Sequence, residues 1–185
     1  CPGSLPGRKG SPQQIYSLGV SMTALSVTVV KEFYQLCNWA YEVWSTHRVL
    51  FDENPKASAL QASAVGNALD RLSIITQEYV LHQISKLHDP AVQQGQANLG
   101  IDYIIKFGGW EPATHIKLCA LQARLDELAQ KIRPARNKLL SHNDLVTILS
   151  SATLAAFPAG EDKNYFEVLQ EFANLVHDQV VGGPC

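Results

Sequence analysis

Apolar residues recur at steps of three and four along most of the 185-residue chain, the spacing of one face of an α-helix. The first such stretch covers 24–50, with Phe33, Leu36, Cys37, Ala40, Tyr41, Trp44 and His47 on one side. Its aromatic load (Phe33, Tyr34, Trp39, Tyr41 and Trp44) suits a thick helix–helix or dimer interface, with a cofactor pocket as the alternative. Asp52-Glu53-Asn54-Pro55 interrupts the pattern. A second helix is expected over 58–87, with Leu60, Ala64, Ala68, Leu72, Ile75, Tyr79 and Gln83 inward. His88-Asp89-Pro90 ends it, because a proline pushes the residue before it out of the helical region. The Gln/Gly-rich stretch 91–97 reads as a loop, after which Asn98 caps a short helix over 99–106 and Gly108-Gly109 stops it.

A third long helix is expected from Glu111-Pro112-Ala113, proline being tolerated in a first turn. Ile116, Leu118, Leu121, Leu125, Leu128 and Ile132 mark its buried side. Pro134 falls inside this pattern, where a kink or restart is expected, and 135–142 continues as helix or as the helix end. The pattern of 143–163 is mixed, with an apolar run at 145–149 and a turn-like Phe157-Pro158-Ala159-Gly160. A last helix over 164–180 carries Phe166, Leu169, Phe172, Ala173, Val176 and Val180 inward and closes at Gly182-Gly183-Pro184. Four long helices with short connections imply an all-α, antiparallel up-and-down bundle. One domain is expected over 22–181, with a C-terminal tail at 182–185. Residues 1–21, beginning with the Pro/Gly/Ser-rich stretch 1–14, precede it as a flexible tail or upstream remnant, with Met22 as a candidate start.

Hydrophobic residues make up 46% of the chain, enough for a core, and charged residues only 17%. The net charge of −2 excludes nucleic-acid binding by bulk positive charge. No apolar run reaches the roughly 18 residues of a membrane helix, so a cytoplasmic protein without a membrane partner is expected. Cys1, Cys37, Cys119 and Cys185 form no C-x-x-C pair, and Cys37 and Cys119 read as reduced core thiols. His47, His82, His88, His115 and His177 show no metal-ligand spacing, so neither a metal nor a cofactor is expected.

One segment changes this picture. Residues 131–144 read KIRPARNKLLSHND, placing Lys131, Arg133, Arg136 and Lys138 within eight residues, with no acid between Glu127 and Asp144. This is a concentrated positive field ending at His142, and imidazole is the side chain suited to moving protons near neutral pH. Arginine holding a phosphodiester while histidine takes or gives a proton is the task such a set suits. On a straight helix Arg136 and His142 stand about 120° apart around the axis and about 9 Å along it. Either the helix ends or bends at His142, where Ser141, Asn143 and Asp144 favour a turn, or a two-fold dimer joins one chain's arginine to the other's histidine. The plainer readings are a surface salt bridge from Arg136 to Asp144 or Asp89, a helix-end cap for His142, a structural Asn137, and a solvated basic face for Lys131, Arg133 and Lys138.

The stretch Arg136-Asn137-Lys138-Leu139-Leu140-Ser141-His142 resembles the R-x(4–6)-H motif of the HEPN superfamily, in which a polar residue follows the arginine. Ser-His-Asn-Asp is similar to the A-H-S-D ending of its abortive-infection AbiU-like branch, with Ser141 in place of alanine. Upstream, Ser85-Lys86-Leu87-His88-Asp89-Pro90, followed by Asn98-Leu99, resembles that branch's R-L-T-D-P…N-L segment, with Lys86 and His88 in place of arginine and threonine.

The resemblance implies a helical bundle that dimerises through the motif-bearing helices. It also implies metal-independent endoribonuclease activity of a toxin–antitoxin or phage-defence type. Arg136 and His142 would be the catalytic pair and Asn137 a supporting polar group. Lys131, Arg133 and Lys138 would bind RNA. Asp144 and Asp89 would support them, Asp89 either by orienting a cation of the motif across the bundle or simply by capping its turn. RNA, a second copy of the chain and an antitoxin protein are the partners implied. Non-catalytic HEPN modules that bind RNA, a nucleotide or a protein are the alternative, and a purely structural helical dimer is a third.

Overall fold

The computed structural model describes residues 25–140 and 160–182. The expected tail at 1–21, the part of the mixed segment 143–163 that precedes residue 160, and residues 183–185 lie outside them, whereas 161–163 are helical and start the last helix three residues earlier than expected. The helices are α1 (Val27–His47), α2 (Ala57–Gln61), α3 (Gly66–Leu87), α4 (Ile101–Phe107), α5 (Pro112–Leu140) and α6 (Glu161–Val180). Ser26 starts α1 by accepting a hydrogen bond on its Oγ from the Val29 N–H at 3.2 Å. Pro112 opens α5, and Gly160 precedes α6 in the left-handed region at φ +85°.

Helices α1, α3, α5 and α6 close a ring in which α1 and α5 each pack on both α3 and α6. Side-chain pairs show neighbours running antiparallel. Tyr34 and Trp44 of α1 bond Asn174 and Asp162 of α6, in reversed order. Thr114 and Lys131 of α5 bond Gln179 and Glu161 in the same reversed sense. Trp39 and His47 of α1 meet Tyr79 and Thr76 of α3. The all-α, up-and-down bundle is therefore the observed architecture.

Inside it, the rings of α1 are used against α6. Phe33 meets Phe172 edge-on with centroids 5.9 Å apart, and Trp44 stacks on Phe166 at 4.5 Å. Cys37 is buried, which pushes its thiol far up and keeps it protonated. Leu118, Leu121, Leu125 and Leu128 form the buried row of α5, and Tyr165, Phe166, Leu169, Phe172, Ala173 and Val176 that of α6.

Several expectations are corrected. The second helix is not continuous: α2 ends at Gln61 and α3 begins at Gly66. Gly66 is what the break requires, since a Cβ there would lie 1.6 Å from the Gln61 carbonyl oxygen. Leu60, Leu72 and Ile75 are exposed, and the buried residues of α3 are Gly66, Val80, Leu81, Gln83, Ile84 and Leu87. Ile116, on the side of α5 opposite Leu118, is 69% exposed rather than inward. The first helix ends at His47 and continues as a π-helical turn, Arg48–Asp52. Leu36 and Tyr41 on α1 are exposed. The stretch 91–97 holds a two-residue antiparallel ladder, Val92 facing Ala97 and Gln93 facing Gln96, turned by Gln94 and Gly95 at positive φ. Gly100, not Asn98, is the N-cap of α4. No restart occurs at Pro134, because α5 runs on to Leu140.

His47 is buried where α1 turns π-helical. Its Nδ1 is 2.8 Å from Thr76 Oγ1 and its Nε2 3.1 Å from Gln77 Nε2. Burial lowers its proton affinity, and the Asp52 charge 3.6 Å away only partly restores it. The folded chain thus binds a proton on His47 less readily than the unfolded chain. Stability from this group is complete above the ordinary imidazole value of about 6.5 and falls as pH drops below it. Urea titrations between pH 7.5 and 5 should show this loss, and His47→Gln should flatten it. Gly66→Ala should lower the unfolding free energy by about 1–3 kcal/mol, seen as an earlier urea midpoint.

Candidate functional site

The helical part of the basic segment rides on α5, and α5 is held as far as Lys131. Its buried leucine row faces the core, Arg124 lies 3.6 Å from Glu171, and Lys131 Nζ is 2.7 Å from Glu161 Oε1. The Glu161 hydrogen bond raises the Lys131 ammonium above its usual value; desolvation opposes it, and the Glu161 and Glu127 charges add to the rise. Lys131, expected to bind RNA, is therefore engaged in fastening α5 to the first turn of α6.

Arg133, Arg136, Asn137 and Lys138 all lie within the last three turns of α5. Eleven residues separate Arg136 from the buried Leu125, which returns its backbone position to within about 20° of the same side of the helix. Lys138 follows Lys131 by seven residues and so occupies nearly the same side as that lysine. His142 and Asp144 come after α5 and lie outside the described residues. The bend expected at His142, which would bring the arginine and histidine together, lies outside the described residues.

The upstream segment has a structure of its own. Asp89 follows α3, and its N–H donates to the Lys86 carbonyl at 3.1 Å. Asn98 donates through Nδ2 to the Pro90 carbonyl at 3.0 Å, and through its backbone N–H to the Ala91 carbonyl at 2.9 Å. Asp102 Oδ2 accepts from the Ala91 N–H at 2.8 Å and from Lys106 Nζ at 2.7 Å. Partial burial works to raise the Asp102 carboxyl, but the Lys106 hydrogen bond, the Ala91 N–H and the lysine charge hold it below its usual value. The Asp-Pro and Asn-Leu parts thus close one braced loop between α3 and α4.

That loop is anchored by a trio the sequence pattern did not disclose. His88 Nδ1 is 2.9 Å from Asp126 Oδ1 on α5, and its Nε2 is 3.0 Å from the Tyr165 hydroxyl on α6. Tyr165 is fully buried, which pushes its phenol well above the usual value, with Cys37 and Asp126 adding to the shift. It stays protonated and donates to His88 Nε2, which leaves the ring proton on Nδ1 to bond Asp126. Tyr165 is buried and His88 nearly so, while the Asp126 side chain is about half exposed, and together they clamp three helices. The partners stand 38 and 77 residues from His88, so no local spacing could signal them. The one available hint was a tyrosine inside the apolar row of the last helix.

Among the described residues no group of three or more histidine, cysteine or acidic side chains is gathered as a metal would need. Cys119 and His115 meet one turn apart on α5, with Sγ 3.7 Å from Nε2. No helix among the described residues is long and apolar enough to cross a membrane.

The HEPN_AbiU2 family, described as AbiU2, matches residues 26–183. Its span takes in both the basic segment and the braced loop. No curated protein and no solved structure matches the chain.

Tyr165→Phe should cost about 1–3 kcal/mol, since it leaves a buried His88 nitrogen without its donor. Urea unfolding followed by circular dichroism measures this, and an unchanged midpoint would show that the clamp carries no stability.

Proposed function

Because the chain belongs to the HEPN_AbiU2 family, we propose that it is a metal-independent endoribonuclease of a toxin–antitoxin or phage-defence type. The observation that carries the reading is the row on α5. Leu118, Leu121, Leu125 and Leu128 are buried, and the same row arrives, at its last turns, at Arg136 instead of another apolar residue. An arginine in that position, flanked by Arg133 and Lys138 and followed by His142, is what an anionic substrate needs at the end of a bundle.

In this reading His142 takes the proton of a ribose 2′-hydroxyl. The 2′-oxygen attacks the adjacent phosphorus, and the bond to the 5′-oxygen of the next nucleotide breaks as that oxygen gains a proton. The product ends in a 2′,3′-cyclic phosphate. Arg136 stabilises the charge that builds on the phosphorane oxygens, and Asn137 supports it. Arg133 and Lys138 hold the flanking phosphates. Asp144 and Asp89 orient the cations. Two copies of the chain, meeting at their motif helices, make one composite cleft, and an antitoxin protein restrains it in a cytoplasmic setting.

The test is incubation of the full chain with mixed tRNA and mRNA in EDTA. Cleavage leaving cyclic-phosphate ends is expected, with a fall of about 10²–10⁴-fold for His142→Ala. Undiminished cleavage by a folded His142→Ala protein would overturn the assignment. Salt-sensitive RNA binding without product, weakened by Arg133→Ala and Lys138→Ala, would point instead to a non-catalytic binding module.

A further inference from the structure

His47 ends α1, and its ring is buried against α3 with both nitrogens engaged. Which nitrogen holds the proton follows from its neighbours. The Thr76 hydroxyl oxygen lies 2.9 Å from the carbonyls of Leu72 and Ser73, so its one hydrogen goes to its own helix. Toward His47 Nδ1, 2.8 Å away, it can only accept, and the ring proton sits on Nδ1. Nε2 is then a bare acceptor, and the Gln77 amide nitrogen, 3.1 Å from it, donates. The neutral ring thus ties the end of α1 to α3 through two bonds of opposite sense.

A second proton would go on Nε2, where it meets the N–H of Gln77 instead of an oxygen. The other partner in reach is the Asp52 carboxylate, 3.6 Å from the same nitrogen. Asp52 is the last residue of the π-helical turn Arg48–Asp52, and such turns are rare and recur at functional sites. It is the charge that acts on the ring. Arg48 is paired with Glu53, and its guanidinium lies over the Trp44 ring, 4.8 Å from the centroid. On α3, Arg71 and Glu78 are turned about 100° or more from both Thr76 and Gln77, and Asp70 stands about 10 Å along the helix from Gln77. On α6, Asp162 accepts from Trp44 Nε1 at 2.8 Å. The short helix α2 carries no ionisable side chain, and Lys56 precedes it.

We propose that His47 is a proton-operated latch: the neutral ring holds the end of α1 to Gln77 of α3, and the protonated ring pivots on Thr76 and exchanges Gln77 for Asp52 of the π turn. Thr76 accepts from Nδ1 in both states, which makes it the pivot. A hydrogen bond between two charged groups is roughly twice as strong as one between neutral groups, so the charged ring turns to the carboxylate before the amide turns its oxygen to the ring. The latch stands at the end of the bundle from which the basic segment continues. Asp162 is followed back along the chain by Glu161, which bonds Lys131 at 2.7 Å. The inference does not depend on the chain cutting RNA.

The experiment uses the full chain with isotope-labelled histidine and glutamine, its ring and amide nitrogens followed by NMR through an acid titration. His47→Gln and Gln77→Leu identify the two signals. Near neutral pH the His47 ring should carry its proton on Nδ1, and the Gln77 side-chain amide should shift at the same midpoint as the ring. Asp52→Asn should lower the proton affinity of His47 at least threefold. Gln77→Leu should raise it at least twofold, because Gln77 bonds the neutral ring alone. A ring proton on Nε2 near neutral pH would overturn the proposal, and so would a His47 midpoint untouched by Asp52→Asn. A fall in proton affinity in Gln77→Leu would overturn it as well, since the amide would then be turning its oxygen to the charged ring. Circular dichroism shows that each variant is folded. Unfolding of the wild-type chain at the His47 midpoint would also sink the idea, because the ring would then be a core group whose protonation the fold does not survive.

Discussion

The hydrogen-bonded chain from Tyr165 through His88 to Asp126 is the constraint on which the arrangement of this molecule turns. It joins α6, the end of α3 and α5 at one level. A buried polar group that loses its partner costs more than the bond itself contributes, so the Tyr165–His88 bond holds α6 to the end of α3, and Asp126 extends the tie to α5. Above this level α5 continues toward the basic segment, and below it the Asp102–Ala91 and Asn98–Pro90 bonds close the loop that leads into α4. The two sequence segments that resemble one family are therefore mechanically linked: one supplies the anchor, and the other rides on the helix that is anchored.

How much of this was legible in the sequence depends on how local its cause is. The row Leu118, Leu121, Leu125 and Leu128 and the row from Phe166 to Val176 announce themselves by spacing alone, and both are buried. Ile116 carries the right chemistry but the wrong angle. The break between Gln61 and Gly66 was hidden because alanines and serines fit a helix as readily as a turn. Only the steric demand at Gly66 reveals it. Leu72 and Ile75 share a face of α3 with Tyr79, while the core takes the neighbouring face that carries Val80, Ile84 and Leu87.

The candidate site was legible in a different sense. A run of cations ending in histidine is conspicuous in an acidic chain, and its helical part is where the periodicity put it. What the sequence could not show is that Lys131 is already paired with Glu161, thirty residues away. Nor could it show that His88, read as a turn residue, carries a three-helix clamp. Both depend on contacts between elements far apart in the chain, for which no short pattern exists. At Pro134 the helix does not restart, and 135–140 continues it.

The closure of the bundle by its last helix also bears on synthesis. Tyr34 and Trp44 find Asn174 and Asp162 at separations of 140 and 118 residues, and the stacking of Trp44 on Phe166 spans a similar stretch. A ribosome releases the basic segment of α5 well before it releases α6. During that interval Phe33, Trp44 and the leucine row lack the surface that covers them, and Lys131 lacks the carboxylate that holds it. The nascent chain thus exposes α5 before the helix that braces it, and α6 is the element whose arrival closes the ring and pairs Lys131.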